Sequence, residues 1–225
     1  MAGRMRAVMF PLLAAAGFIA GPAGPAGAHP HVWIDMTVSS VFNEDGPLTG
    51  FRHVWTFDEF YTVFQLEALG GQQPTDAVLA EFATDMIESI ASLGYLMKVE
   101  TKDGIAGIAG ARDEALVLRG DSRLELAFTA DLEGSVDARA WPVRYAVFDP
   151  EYYIEMLHVK GTGTLMTGTP PATCTTDLQR PQPTFEMLSL AAAVEVMQDD
   201  PPALGETFAE KVTIDCRPEA DRSES

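Results

Sequence analysis

Two stretches of alternating apolar and polar residues, joined by a short turn, constrain the fold of this chain more than any other feature. The first, HVWIDMTVSSVF, covers residues 31–42, and the second, GFRHVWTF, covers residues 50–57. Both are rich in β-branched and aromatic residues, and a turn cluster, NEDGP, lies between them. Because the alternation has a period of two, the sequence predicts an antiparallel β-hairpin.

Two helices are predicted after the hairpin. Asp58 is a suitable N-cap for a helix that continues to about Leu69, where two glycines end it. A second helix is predicted over residues 75–93, because apolar residues recur at every fourth position from Val78 to Ile90. Such a stripe is typical of a helix that faces the core.

Short strands dominate the rest of the chain, and turn residues separate them. Strands are predicted at 96–101, 115–119, 123–131, 143–148, 153–159, 163–166 and 211–216, with a third helix within 181–199. The glycine-rich segment 104–112 is interpreted as a loop. The predicted fold class is therefore α+β, with an N-terminal β-hairpin and two helices followed by an antiparallel, β-rich, sandwich-like half.

Residues 1–28 have the layout of a secretory signal peptide. A basic start precedes an apolar run, and small residues ending in an A-x-A site at Ala28 follow it. The run of about 14 residues is shorter than the roughly 20 that cross a bilayer as a helix. We therefore expect cleavage after Ala28, periplasmic localisation and no direct membrane insertion of the mature chain.

The remainder is expected to form one domain over residues 29–217, with possible lobes 29–110 and 111–217 and a frayed tail at 218–225. The net charge is −18, and loss of residues 1–28, which hold two arginines and no acid, leaves it at about −20. Such a charge repels nucleic acid, so no nucleic-acid partner is expected. It attracts cations, or serves solubility alone.

The two cysteines, Cys174 and Cys216, both lie in the exported part. An even pair in an oxidising compartment usually forms one disulfide. The spacing is not that of a C-x-x-C motif, so we predict a structural bridge. A metal or redox role and two free thiols are the alternatives.

Two of the four histidines, His29 and His31, lie within three residues of the predicted mature N-terminus. Cleavage after Ala28 would give His29 a free α-amine, and this amine and the imidazole of the same residue can chelate one metal ion. Pro30 has no amide proton, which excludes the amino-terminal copper and nickel motif built on deprotonated amides. We predict a divalent transition metal ion here, either nickel, cobalt, zinc or copper. The alternative is that both histidines only begin a strand.

His53 and Asp35 complete the predicted metal ligands. If the turn is centred near Gly46, His31 and Asp35 share a face of the hairpin with His53, whereas a shift of one residue puts the two histidines on opposite faces. His53 would lie about eight residues along the sheet from His31, so the N-terminal tail would have to fold back. The alternatives are a buried, hydrogen-bonded His53 and an Asp35 carboxylate that orients an imidazole. His158, on a predicted strand, is a further possible ligand.

Three quoted segments resemble one known family. They are AHPHVWID after the signal, LTGFRHVWTFDEFYTVF in the hairpin and first helix, and YAVFDPEYYIEM later. They are similar to periplasmic proteins that carry a domain of unknown function of the DUF1007 type. Members are labelled periplasmic components of ABC-type transport systems and are encoded beside nickel/cobalt permeases of the NicO type. Relatives often carry a calcium-loop-like D-x-N-x-D-G between the first two helices, but this chain has LGGQQPTDAVL there, so calcium binding is not carried over.

The resemblance implies a periplasmic metal-binding accessory protein whose partner is a membrane metal permease or ABC-type transporter. No nucleophile elbow, phosphate-binding loop, Rossmann glycine pattern or zinc-protease helix occurs in the chain, so we expect no enzyme activity. Two alternatives stay open. One is a structural or partner-binding module without a metal site, and the other is a copper oxidase or monooxygenase built on the His29 amine and imidazole.

Overall fold

The computed structural model describes residues 31–71, 73–193 and 204–222. Its strands are β1 (Val32–Phe42), β2 (Leu48–Phe57), β3 (Met97–Thr101), β4 (Gly104–Ile105), β5 (Ile108–Leu118), β6 (Leu124–Val136), β7 (Val143–Val147), β8 (Ile154–His158), β9 (Thr164–Gly168), β10 (Thr175–Gln179) and β11 (Lys211–Asp215). Its helices are α1 (Glu59–Ala68), α2 (Asp76–Ala91), α3 (Phe185–Ala193), α4 (Gly205–Phe208) and α5 (Glu219–Arg222). The predicted α+β class is confirmed.

The strands form two sheets. Sheet A has the order β5-β6-β2-β1-β8, and β9 also pairs with β1, whereas sheet B has the order β10-β11-β7-β3-β4. Neighbouring strands are antiparallel except β8 and β9, which run parallel to the first and second halves of β1. The hairpin β1–β2 therefore lies in the middle of sheet A, with later strands on both sides.

The core lies between the sheets, and the period-two pattern selects the residues that enter it. Ile34, Met36 and Val38 of β1 are at most 2% exposed, and Tyr145 of β7 packs on Phe51 of β2 with ring centroids 5.0 Å apart. Full burial of one such side chain stabilises the fold by roughly 1.5–3 kcal/mol. The contact between Phe51 and Tyr145 joins the two sheets.

Both predicted helices of the first half are present. Asp58 caps α1, since its Oδ1 accepts from the amides of Phe60 and Tyr61, and Thr75 caps α2 by accepting from Val78. The apolar stripe of α2 enters the core through residues that include Leu79, Ala83 and Ile87.

The hairpin is confirmed, but its predicted register is wrong by one residue. Paired residues of β1 and β2 have numbers that sum to 91 rather than 92, as in the pairs Ile34 with Phe57 and Val38 with His53. The cause is an irregularity between Val41 and Phe42, where the paired residue of β2 changes from Gly50 to Leu48. Because one residue of β2 is skipped there, the residues of β2 from Gly50 onward lie on the other face. His53 therefore lies on the opposite face of the hairpin from His31 and Asp35.

Two further segments differ from the expectation. Residues 104–112, predicted as a loop, contain β4 and the start of β5, because β3 and β6 supply hydrogen-bond partners that need no large side chains. Strand β10 was not predicted, since TTDLQ has little apolar pattern. It pairs with β11 next to a disulfide between Cys174 and Cys216, which confirms the predicted bridge.

Candidate functional site

The predicted metal ligands begin at the N-terminal end of β1. His29 lies outside the described residues. His31 is exposed, its amide donates to the carbonyl of Tyr153 over 2.9 Å, and the two rings stack with centroids 4.8 Å apart. The structure therefore places the His31 imidazole just before β1, against Tyr153 and two residues from His29 along the chain.

Asp35 lies on the outer face of sheet A. It is exposed, and its Oδ2 accepts from Arg123 Nη1 over 3.4 Å. Four residues of extended strand separate the Cα atoms of His31 and Asp35 by about 13 Å. The structure thus shows the two residues on one strand without bringing them together around a single point.

His53 points into the core. Its ring stacks on Phe128 at 4.7 Å with an interplanar angle of 6°, and Trp55 meets it edge-on at 5.7 Å. Within the described part of the chain, neither His53 ring nitrogen nor Trp55 Nε1 has a hydrogen-bond partner. Burial, followed by the positive potentials of His158 and Arg52, lowers the pKa of His53 from 6.5 to about 3. His53 is therefore a neutral imidazole inside an aromatic cluster.

The three predicted ligands that the structure describes, His31, Asp35 and His53, are not assembled into one centre. Across residues 31–71, 73–193 and 204–222, no three His, Cys, Asp or Glu side chains converge as metal ligands would. His31 and Asp35 face outward, whereas His53 faces the other sheet. A metal site that uses His31 must therefore draw its other ligands from a different part of the molecule than His53.

A buried polar cluster that was not predicted from the sequence lies around His158. Glu210 is 1% exposed, and its Oε2 accepts from the backbone amide of His158 over 2.6 Å and from His158 Nδ1 over 2.9 Å. Its Oε1 accepts from Arg180 Nε over 2.8 Å. Glu210 thus joins strand β8 of sheet A to the segment that begins β11 of sheet B.

The hydrogen bonds define the charge state of this cluster. Burial alone would raise the pKa of Glu210, but the hydrogen bonds from the His158 ring and backbone and from Arg180 outweigh it and lower that pKa. An ionised Glu210 can only accept, so His158 Nδ1 donates to it. His158 Nε2 lies 3.4 Å from the Tyr145 hydroxyl, within hydrogen-bonding distance. Every polar atom of the His158 side chain has a partner.

The sequence carried one usable signal for this cluster. Glu210 is in phase with the buried residues Val212 and Ile214, so the period-two pattern of β11 directs it inward. Its partners His158 and Arg180 lie 52 and 30 residues away along the chain, and no local pattern links them.

The outer side of this cluster opens on a surface cavity. The cavity has a volume of about 580 Å³ and is lined by Asp35, Leu157, His158, Val159, Lys160, Arg180 and Pro181. A second cavity of about 340 Å³ shares Asp35 and Val159 with it and extends across the outer face of sheet A to Arg123. Arg180, half exposed, connects the cavity to the buried carboxylate.

Comparison with known proteins assigns a family to the chain. The family described as "Protein of unknown function (DUF1007)" matches residues 14–216. The chain belongs to the DUF1007 family. No curated protein matches the chain. In the described part of this DUF1007 member, no helix is long and apolar enough to cross a membrane.

Proposed function

We propose that this protein is a periplasmic metal-binding accessory of a transition-metal transport system, in which His29 and His31 hold a divalent ion. The observation that carries the proposal is the position of His31. Its imidazole is exposed just before β1 and stacks on Tyr153. His29 is two residues earlier in the chain. The ion is nickel, cobalt, zinc or copper, because amine and imidazole ligands suit all four.

Three further observations support this function. The layout of residues 1–28 is that of a secretory signal, and cleavage after Ala28 would make the His29 α-amine available as a ligand. The net charge of −18 raises the local concentration of cations. The DUF1007 resemblance implies a partner that is a membrane metal permease of the NicO type or an ABC-type transporter.

The register of the hairpin narrows the proposed ligand set. His53 faces the core, and Asp35 lies about 13 Å from His31 along one strand. The proposal therefore uses the His29 amine, the His29 imidazole and the His31 imidazole, and it leaves His53 and Asp35 out of the ligand set.

The test begins with mass spectrometry of the exported protein, which should find His29 as the first residue. Calorimetric titration with Ni²⁺, Co²⁺, Zn²⁺ and Cu²⁺ should then find one site, and His31→Ala should weaken it by roughly tenfold or more. An extra alanine before His29 should weaken it similarly, because both imidazoles stay while the amine moves away. Asp35→Asn is the matched control and should leave the affinity unchanged.

The proposal fails if the exported chain begins at another residue, or if the correctly processed protein binds none of the four ions at submillimolar concentration. The second candidate, a partner-binding module without a metal site, is favoured by the stacking of His31 on Tyr153, which gives the imidazole a structural role. It predicts that His31→Ala leaves metal uptake unchanged in cells.

A further inference from the structure

Helix α1 presents an apolar stripe to solvent. Phe60 is 85% exposed, Phe64 is 68% exposed and Val63 is 47% exposed. Their spacing of three and four residues puts them side by side on one face of the helix. The opposite face holds the helix to the protein through Thr62 and Leu66, which are buried. The stripe is therefore additional to the residues that the fold itself needs.

The stripe is large enough to contribute to the binding energy of a partner. Two mostly exposed phenylalanines and a half-exposed valine give roughly 300–400 Å² of contiguous apolar surface, which is the size of the largest patch on a typical monomer, and such patches are often functional. Isolated exposed apolar residues are common on proteins and carry no such meaning. Phenylalanine is also among the residue types that are enriched in protein interfaces.

The chain segment that contains the stripe carries charged side chains of one sign. Between Arg52 and Lys98 the chain carries seven carboxylates and no lysine or arginine. Glu59 and Glu67 are exposed at the two ends of the stripe, and the last turn of α1 contains no basic residue. The negative end of the helix dipole adds to the charge of Glu67. A cation supplied by another molecule would be stabilised there.

This charge pattern discriminates among possible occupants. A second copy of this chain would bring the same acidic surroundings to the interface, and an anionic lipid surface carries the same sign. A polypeptide with a basic, amphipathic helix complements both the apolar stripe and the acidic residues at its ends.

We propose that α1 is a docking site for a basic amphipathic helix of a partner protein. The apolar face of the partner packs on Phe60, Val63 and Phe64, and its lysines or arginines lie against Glu59 and Glu67. This is the helix-on-apolar-surface mode of recognition, with charge at the rim that guides encounter and orientation.

Contacts with sheet A fix the position of α1 and therefore of the stripe. Asp58 caps α1 and its Oδ2 also accepts from the amide of Trp33 over 2.9 Å, while the amide of Asp58 donates to the carbonyl of Trp33 over 3.0 Å. Tyr61 stacks on Phe57 of β2 at 4.6 Å. A surface fixed to the sheet in this way loses little conformational entropy when a partner binds.

The inference goes beyond the proposed metal function and does not depend on it, so the experiment is done on the full exported chain in the presence of a chelator. The probe is a fluorescent synthetic amphipathic helix of leucine and lysine, titrated by anisotropy at two salt concentrations. Phe60→Ser/Phe64→Ser should raise the dissociation constant by at least about tenfold, because two central aromatic contacts are lost. Phe185→Ser is the matched control, since Phe185 is 83% exposed on α3 and lies outside the stripe.

The control separates docking on α1 from general attraction between a cationic peptide and an acidic protein. Phe185→Ser should leave the dissociation constant unchanged, and Glu59→Gln/Glu67→Gln should reduce its salt dependence. Equal weakening by Phe185→Ser, or no weakening by the double serine variant, would overturn the proposal. Binding to phosphatidylglycerol vesicles that depends on the stripe, without binding to the peptide, would also overturn it. A dimer of the protein that only the double serine variant abolishes would do the same. Circular dichroism checks that each variant is folded.

Discussion

The surroundings of His53 and His158 differ although both imidazoles lie inside the sandwich on sheet A. His53 is enclosed by Phe128 and Trp55, and its nitrogens have no partner in the described part of the chain. His158 is hydrogen-bonded through both nitrogens, to Glu210 and to Tyr145. Burial alone therefore does not determine whether a histidine is hydrogen-bonded. The difference lies in whether an acidic residue of the other sheet faces it.

The comparison assigns different energetic roles to the two residues. His53 contributes aromatic packing, and its lowered pKa of about 3 is the consequence of burial without an acidic partner. His158 belongs to a network in which Glu210 remains charged because three donors compensate its burial. Removing a member of such a network leaves other buried polar groups unsatisfied.

The largest expected effect is that of Glu210→Ala. The substitution leaves the amide and Nδ1 of His158 without their acceptor and should lower the free energy of unfolding by about 3–5 kcal/mol. Glu206→Ala is the matched control, because Glu206 forms a partly exposed ion pair with Lys98 and should contribute less than about 1 kcal/mol. Urea unfolding at pH 7 measures both. Equal effects of the two variants would contradict the role assigned to Glu210.

A change of pH is expected to have an intermediate effect on the free energy of unfolding. Because folding lowers the pKa of His53 from 6.5 to about 3, the unfolded chain binds more protons in this range, and stability falls as the pH falls below 6.5. Between pH 7 and pH 5 the loss should be about 2 kcal/mol. Glu210 acts in a different range. Its folded pKa lies below the usual 4.5, so its stabilisation is present above that value and is lost only at lower pH.

The measurement compares urea unfolding of the wild-type protein and of His53→Phe at pH 7 and pH 5. The two proteins differ only at residue 53, so the difference between their pH dependences isolates His53. A loss of stability that is the same in both would show that His53 gains its proton in the folded state.

The smallest effect is expected from His53→Phe itself at pH 7. Phenylalanine keeps the stacking on Phe128 and has no nitrogen that needs a partner, so stability should change by less than about 1 kcal/mol, in the direction of greater stability. Calorimetric melting at pH 7 measures this change. A loss of more than about 2 kcal/mol would mean that the His53 nitrogens make a hydrogen bond that stabilises the fold.

Local sequence patterns predicted the parts of the fold that depend on local physics. The alternation of β1 and β2, the cap Asp58, the apolar stripe of α2, and the bridge between Cys174 and Cys216 follow from short-range periodicity, capping chemistry and cysteine count. The hairpin register did not follow, because one irregular position near Val41 reverses which face the later residues occupy.

The candidate sites were predictable only where one segment supplies the residues. The exposed position of His31 agrees with its place at the start of a strand, and the proposed role of His31 as a ligand stays a prediction. The cluster of Glu210, His158 and Arg180 depends on contacts between segments that are distant in sequence, and a period-two pattern can indicate only that Glu210 points inward. The parallel pairing of β8 and β9 with β1 had no local signal either.

That parallel pairing has a consequence for how the polypeptide reaches its folded state. Strand β1 pairs with β8 and β9 across more than a hundred intervening residues, since Val32 pairs with Ile154 and Val38 with Thr164. Contacts of such long range form slowly, because a large loop must close first. Sheet A therefore cannot be completed until β8 and β9, late in the chain, are available to pair with β1.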